Sequence, residues 1–428
     1  MKLIHLTTLL RFKIYIVLFI YVFAFYLKGI STSILLGIAL WCYALVDFTF
    51  WKQCMHVLNC VLIRNVIKIW ALLSIIALLY PLCCLTFDFS FATLVFTQGI
   101  HLISAISVLA WLSIKSIPYS EVEKGFISIF ILQTIIQIVV YLTPSLGNAI
   151  LEYNHYDPDS VVGIGSGVRG KALSAATTYH LTMAYGIAFI LYLKNYFNKC
   201  VNFSIITMGL LLFIGIFFAG RTGFVGCGIG IIGWLFDKSV SRKITLKNIS
   251  KLFLYTIFII GVLFIVLSSF FPEVLDSINK QILPYAFEFL YSLDNNGQLE
   301  TASTNRLKEM WSTNITFFDL IVGTGHYTNS DGSFYMHVDP GILRHMLFMG
   351  VIGYLILVIY QYVLFPIFQF PQKRIRYYAI LIFTFLILME FKCINLGVNK
   401  FAFSITLLLS YSYLYLNSST ISSKYLKQ

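Results

Sequence analysis

Four arginines, Arg169, Arg221, Arg306 and Arg344, and two lysines, Lys171 and Lys400, are the residues of this chain best suited to chemistry. A guanidinium is a planar fork that grips phosphate oxygens in pairs. Helix N-termini add free backbone N–H groups to the same task. The cations lie at or near the starts of apolar segments: Arg169-Gly170-Lys171 before one, Arg221-Thr222-Gly223 opening another, Arg344 one turn inside a third, Lys400 beside a fourth. Arg306 lies in a long polar stretch between two of them. A cation is unfavourable at a helix N-terminus, where the macrodipole is already positive. A cluster that breaks this rule points to an anion held between helices, and a diphosphate at a membrane surface suits it. The alternative is that each arginine snorkels to lipid headgroups on its own. Arg221 has the strongest case for a ligand. It interrupts apolar sequence in Ala219-Gly220-Arg221-Thr222-Gly223, and an arginine held that near a membrane is costly.

Proton chemistry has three candidates. Asp339 offers a carboxylate that accepts the proton of an attacking hydroxyl. Asp339-Pro340 also reads as an N-cap followed by proline at N1, and the two readings are compatible. His337 and Glu390 are the next candidate bases, and Glu390 also reads as the counter-charge of an arginine. Asp331-Gly332 reads as a turn close to substrate. Asp157-Pro158-Asp159 has the carboxylate pair of a metal site but is equally an ordinary turn. No metal and no cofactor is assigned.

The elements that must position these residues are membrane spans. Of 428 residues, 59% are apolar and 11% charged, and apolar runs of about 20 residues recur, each long enough to cross the hydrocarbon core as a helix. The chain reads as an all-α polytopic membrane protein, residues 1–428 forming a single integral membrane domain. About twelve transmembrane helices are expected, at roughly 12–28, 32–50, 67–86, 91–114, 125–143, 172–193, 202–219, 222–237, 250–270, 340–369, 376–393 and 400–417. The first run reads as a retained helix and not as a removed signal peptide. The net charge of +12 does not point to nucleic acid, because most of the 30 basic residues mark one set of loops. By the positive-inside rule those loops are cytoplasmic, as are both termini, and the cations named above face the other side. Eight cysteines lie mostly in or beside spans and suggest neither a disulfide scaffold nor zinc.

Two outer loops are long, at 144–171 and 271–339. Ser277 to Leu293 reads as a helix lying on the membrane surface. Asn295-Asn296-Gly297 reads as a turn. Ser303-Thr304 is expected to cap a helix carrying Arg306, Glu309, Met310 and Trp311. No internal repeat of the kind built into transporters is visible.

Three stretches carry a resemblance: Gly220-Arg221-Thr222-Gly223-Phe224; Asn305-Arg306-Leu307 with Trp311 and Gly323-Thr324-Gly325; and Ser330-Asp331-Gly332 with Asp339-Pro340-Gly341 through Gly350-Val351-Ile352-Gly353. In their order, and in the position of the large outer loop, the chain resembles the O-antigen polymerase (Wzy) family. The resemblance implies a fold similar to the C-class membrane glycosyltransferases. It implies transfer of a growing glycan from undecaprenyl diphosphate to a new lipid-linked repeat unit, without metal or nucleotide sugar. It places the chain in the bacterial inner membrane with its active site facing the periplasm. Its expected partners are undecaprenyl-diphosphate-linked oligosaccharide, the lipid bilayer, and the chain-length regulator and flippase of the same pathway. Arg221 and Arg306 match family arginines that handle the diphosphate. The related O-antigen ligases carry a histidine followed by asparagine near the place of Asp339, and this difference favours polymerase over ligase. The rival readings are a ligase, a flippase for lipid-linked oligosaccharide, and a subunit without catalysis.

Overall fold

The computed structural model describes residues 8–153, 173–175, 178–196, 202–237, 272–277 and 301–416, with a few further residues between 261 and 288. The helices that carry the argument are α1 (Thr8–Phe23), α2 (Thr32–Val46), α3 (Phe48–Asn59), α4 (Val61–Cys83), α5 (Ser90–Ile114), α6 (Tyr119–Leu142), α7 (Pro144–Tyr153), α8 (Thr178–Tyr196), α9 (Phe203–Ala219), α10 (Gly223–Phe236), α11 (Ala302–Trp311), α12 (Phe317–Val322), α13 (Gly341–Leu364), α14 (Lys373–Met389) and α15 (Lys400–Tyr415). Sheet among the described residues is limited to two strands of two residues each, β1 (Tyr26–Leu27) and β2 (Ile30–Ser31). The architecture is all-α.

Among the described residues, four helices are long and apolar enough to cross a membrane: Val61–Cys83, Ser90–Ile114, Tyr119–Leu142 and Gly341–Gln369. They coincide with four of the expected spans. Helices α2, α9 and α10 are apolar but shorter. The expected span at 250–270 and the surface helix after Ser277 fall largely outside the described residues, as do Arg169, Lys171, Asp157 and Asp159. The outer loop expected from residue 144 begins instead as helix α7, with Pro144 in its first turn, a position where the missing N–H costs nothing.

The chain divides into two compact units: residues 1–25, 30–126 and 307–428, and residues 26–29 and 127–306. In the first, α2 crosses α5 where Gly37 meets Ser104, so closely that a Cβ on Gly37 would lie 2.3 Å from the Ser104 hydroxyl. Such small-residue contacts let membrane helices approach. Helix α15 is buried almost all round, from Phe401 to Tyr413, as expected of a helix apolar on every face. Leu72, Ile75, Leu79 and Leu82 of α4 point outward and exposed, a surface that suits hydrocarbon and not water. In the second unit, α8 packs against α9 and α10, with Tyr185 buried against Phe130.

Helix α13 is broken at Met349 and Gly350, where Gly350 takes a φ of 69°. The break frees the carbonyls of Leu347 and Phe348. Thr324 donates to Leu347 O from its backbone N (2.6 Å) and its hydroxyl (2.9 Å), and Gly325 N donates to Phe348 O (3.0 Å). An irregular backbone inside an apolar helix survives only when its polar groups are satisfied in this way. The Gly323-Thr324-Gly325 segment is therefore built into the helix it precedes.

Candidate functional site

In the first unit the loop from Gly323 to Pro340 runs between α12 and α13. It is held by Asp88, in the turn between α4 and α5. Asp88 Oδ2 accepts hydrogen bonds from the backbone N of Tyr327 (2.6 Å) and of Thr328 (2.7 Å), while Oδ1 accepts one from Ser90 N (3.0 Å). The Thr86 hydroxyl donates to Gly325 O at 2.8 Å, and the hydroxyls of Ser90 and Thr328 meet at 2.8 Å. Burial alone would raise the Asp88 pKa. The hydrogen bonds from Ser90, Thr328 and Tyr327 outweigh that and leave it below the ordinary carboxylate value.

Arg344 lies one turn into α13, as expected. It is 3% exposed, and its guanidinium is sandwiched between two rings of the loop: the carbon Cζ lies 3.9 Å from the centroid of Tyr327 and 3.5 Å from that of Phe334. Among the described residues no carboxylate forms an ion pair with it, and its Nε has no hydrogen-bond partner. Stacking fixes the plane of a guanidinium without consuming its donors.

Beside Arg344, His345 and Glu390 are both 0% exposed, with Nε2 and Oε2 3.9 Å apart. Glu390 Oε1 accepts from the backbone N of Asn395 (2.7 Å) and of Leu396 (2.6 Å), and its carbonyl accepts from Ile342 N (3.2 Å). Its Oε2 has no hydrogen-bond partner. It packs against the first residue of α13, where a Cβ on Gly341 would lie 2.3 Å away. Glu390 thus sits under the N-terminus of α13, a favourable place for a carboxylate. Among the described residues, the basic side chain within 4 Å of its carboxylate is a histidine, His345, and not an arginine.

Asp339 stands one position earlier than expected. Pro340, not Asp339, is the N-cap of α13, and no side chain caps that end. Asp339 N donates to Met310 Sδ at 3.4 Å, and Met310 packs with Val338, Leu343 and Leu347 in a buried apolar cluster. His337 is exposed, and it and Met336 take positive φ values of 57° and 53°. Asp331 is exposed and makes the expected turn: its Oδ1 accepts from Ser333 N (2.8 Å) and Ser333 Oγ (2.6 Å), and Gly332 has a φ of 80°. Those bonds from Ser333 hold the Asp331 carboxyl below its ordinary pKa.

The cap of α11 is also displaced. Thr301 supplies it, accepting from Thr304 N at 3.1 Å, in place of Ser303 or Thr304. Helix α11 carries Arg306, exposed, and Trp311, whose indole N–H donates to Phe391 O at 3.2 Å.

In the second unit Arg221 sits in the elbow between α9 and α10. Gly220 there has a φ of 154°, and a Cβ on Gly223 would lie 2.5 Å from Thr182 Oγ1 of α8. Thr182 accepts from Gly223 N at 3.0 Å and donates to Gly220 O. Arg221 pairs with Glu288 at 2.5 Å, both side chains being mostly covered, at 19% and 26% exposure.

No family model, curated protein or solved structure matches this chain. The site is therefore read from its own geometry.

Sequence reasoning did not find Asp88, Tyr327, Phe334, His345 or Glu288. Two of them left a signal. His345 is ionisable within an apolar span, which marks a residue for attention. Asp88, two residues before Ser90, has the spacing of a helix-capping carboxylate.

Proposed function

We propose that this chain is a metal-independent glycosyltransferase of the O-antigen polymerase type. It moves a growing glycan from undecaprenyl diphosphate to the end of a new undecaprenyl-diphosphate-linked repeat unit. The observation that carries this reading is Arg344: a buried, permanently charged fork, stacked between two rings, with the Asp339 and Asp88 carboxylates acting on it from a distance and none paired with it among the described residues. A diphosphate leaving group needs its growing negative charge met by donors already in place. Arg221 and Arg306, in the second unit, are in this reading further arginines that handle lipid-linked diphosphate. Asp339 takes the proton of the acceptor hydroxyl, with His337 and Glu390 as the other candidates. The further elements are about twelve spans of a C-class fold in the bacterial inner membrane, cytoplasmic termini and a periplasmic active site. The partners are lipid-linked oligosaccharide and the chain-length regulator and flippase of the pathway.

The experiment is polymerisation by purified protein in detergent, given lipid-linked repeat units and scored as a ladder on a gel, with and without chelator. A ladder that survives chelation supports the reading. In cells, loss of the gene leaves lipid A-core with one repeat unit if the chain is a polymerase and with none if it is a ligase. Repeat units accumulating on the cytoplasmic face point to a flippase. Either of the last two results overturns the proposal.

A further inference from the structure

We propose that Asp88 is a positioning residue that sets the orientation of Arg344 through the loop between them. Arg344 is held by ring faces and not by an acceptor of its own, so the two rings decide where its fork points. Tyr327 is fixed on one side by Phe91, whose ring lies 5.1 Å away. Its backbone is fixed by Asp88, which takes its N–H and that of Thr328 on a single oxygen. Phe334 is tied to the same point. It bridges Thr328 across the hairpin, Tyr335 N donates to Tyr327 O (3.3 Å), and Asn329 Nδ2 donates to Phe334 O (2.9 Å). One carboxylate on the turn between α4 and α5 therefore anchors both rings that grip Arg344. Both of its oxygens are committed: Oδ2 accepts the two backbone N–H groups of the loop, and Oδ1 accepts Ser90 N of α5, with the Thr328 hydroxyl 3.2 Å from each. An asparagine there has only one acceptor oxygen, so either the loop amides or Ser90 N loses its acceptor.

The test has two parts. The first reads Arg344 itself: purified full-length protein is treated with phenylglyoxal, and arginine adducts are quantified peptide by peptide by mass spectrometry. Asp88→Ala should raise the labelling rate of Arg344 about tenfold, the scale of one lost charge-assisted hydrogen bond, with Arg376 unchanged. Asp88→Asn should fall between. Thr328→Val, which removes hydroxyl contacts to Asp88 and Ser90 while keeping the carboxylate, gives a smaller rise and serves if Asp88→Ala does not accumulate. An unchanged rate at Arg344 in Asp88→Ala, or in Thr328→Val if only that variant is available, overturns the proposal.

The second part rests on the polymerase reading. In the polymerisation assay, Asp88→Ala and Arg344→Lys, which keeps the charge and a residual activity, should be non-additive, the double variant being no worse than Arg344→Lys alone. Additive losses would mean that Asp88 acts elsewhere and would overturn its positioning role. A wild-type protein that makes no polymer, while Asp88→Ala still exposes Arg344, would overturn the enzymatic reading and leave the anchor standing.

Discussion

Gly323 and Gly350 meet backbone to backbone, with no room for a side chain on either. A Cβ on Gly323 would lie 2.5 Å from Gly350 N, and one on Gly350 would lie 2.3 Å from Ile321 O. Both glycines also have positive φ, 90° and 69°. Gly350→Ala therefore combines the strain of a backbone conformation (φ 69°, ψ −178°) open essentially to glycine alone, about 1–3 kcal/mol, with a clash against α12. Its thermal unfolding midpoint in detergent should fall by several degrees. Gly228→Ala is the control, since nothing lies within 4 Å of its Cβ and alanine is the better helix former. Equal midpoints for the two variants would contradict the contact.

Arg344→Ala should abolish long glycan chains while the protein still accumulates in the membrane. Arg344→Lys should rescue it poorly. Lysine keeps the charge but loses the planar fork and its stack between Tyr327 and Phe334. The stack itself contributes about 0.5–2 kcal/mol. Chain length read from lipopolysaccharide gels, with protein measured by immunoblot, separates loss of activity from loss of protein.

Arg221 already has a carboxylate partner, Glu288. A ligand diphosphate must compete with that carboxylate. Glu288→Gln should therefore tighten binding of inorganic pyrophosphate to the purified protein, and Arg221→Ala should weaken it and shorten the glycan. Calorimetric titration measures the first and gel analysis the second. Normal chain lengths in Arg221→Ala would remove Arg221 from the site.

Asp88 predicts a pH dependence of known sign. Its folded pKa is depressed, so its contribution to loop stability is fully present above its unfolded value, about pH 3.9. The contribution is lost as pH falls through the lower folded value. Hydrogen exchange at the Tyr327 and Thr328 amides, corrected for the intrinsic pH effect, should therefore lose protection on acidification below about pH 4. In Asp88→Asn the protection should already be reduced and should lack this acid step.

The class of this protein is legible in its hydropathy, a local property that sums along the chain. The helices Ser90–Ile114 and Gly341–Gln369 start within one residue of their expected places, and Val61–Cys83 starts six residues before its own. The turn at Asp331-Gly332 was legible for the same reason: its hydrogen bonds span only two residues. The starts of α11 and α13 were legible to within a few residues. Pro340 and Thr301 took capping positions expected of their neighbours, since a cap depends on the angle at which the chain enters the helix as well as on residue type. The pairings that make the candidate site were decided only by the tertiary structure. Asp88 reaches Tyr327 across 239 residues, Arg221 reaches Glu288 across 67, and His345 meets Glu390 under the first turn of α13. No periodicity connects such residues. They come together because close contacts such as Gly323 on Gly350 and Gly341 on Glu390 leave one way for the helices to pack, and buried polar groups must find partners within that packing.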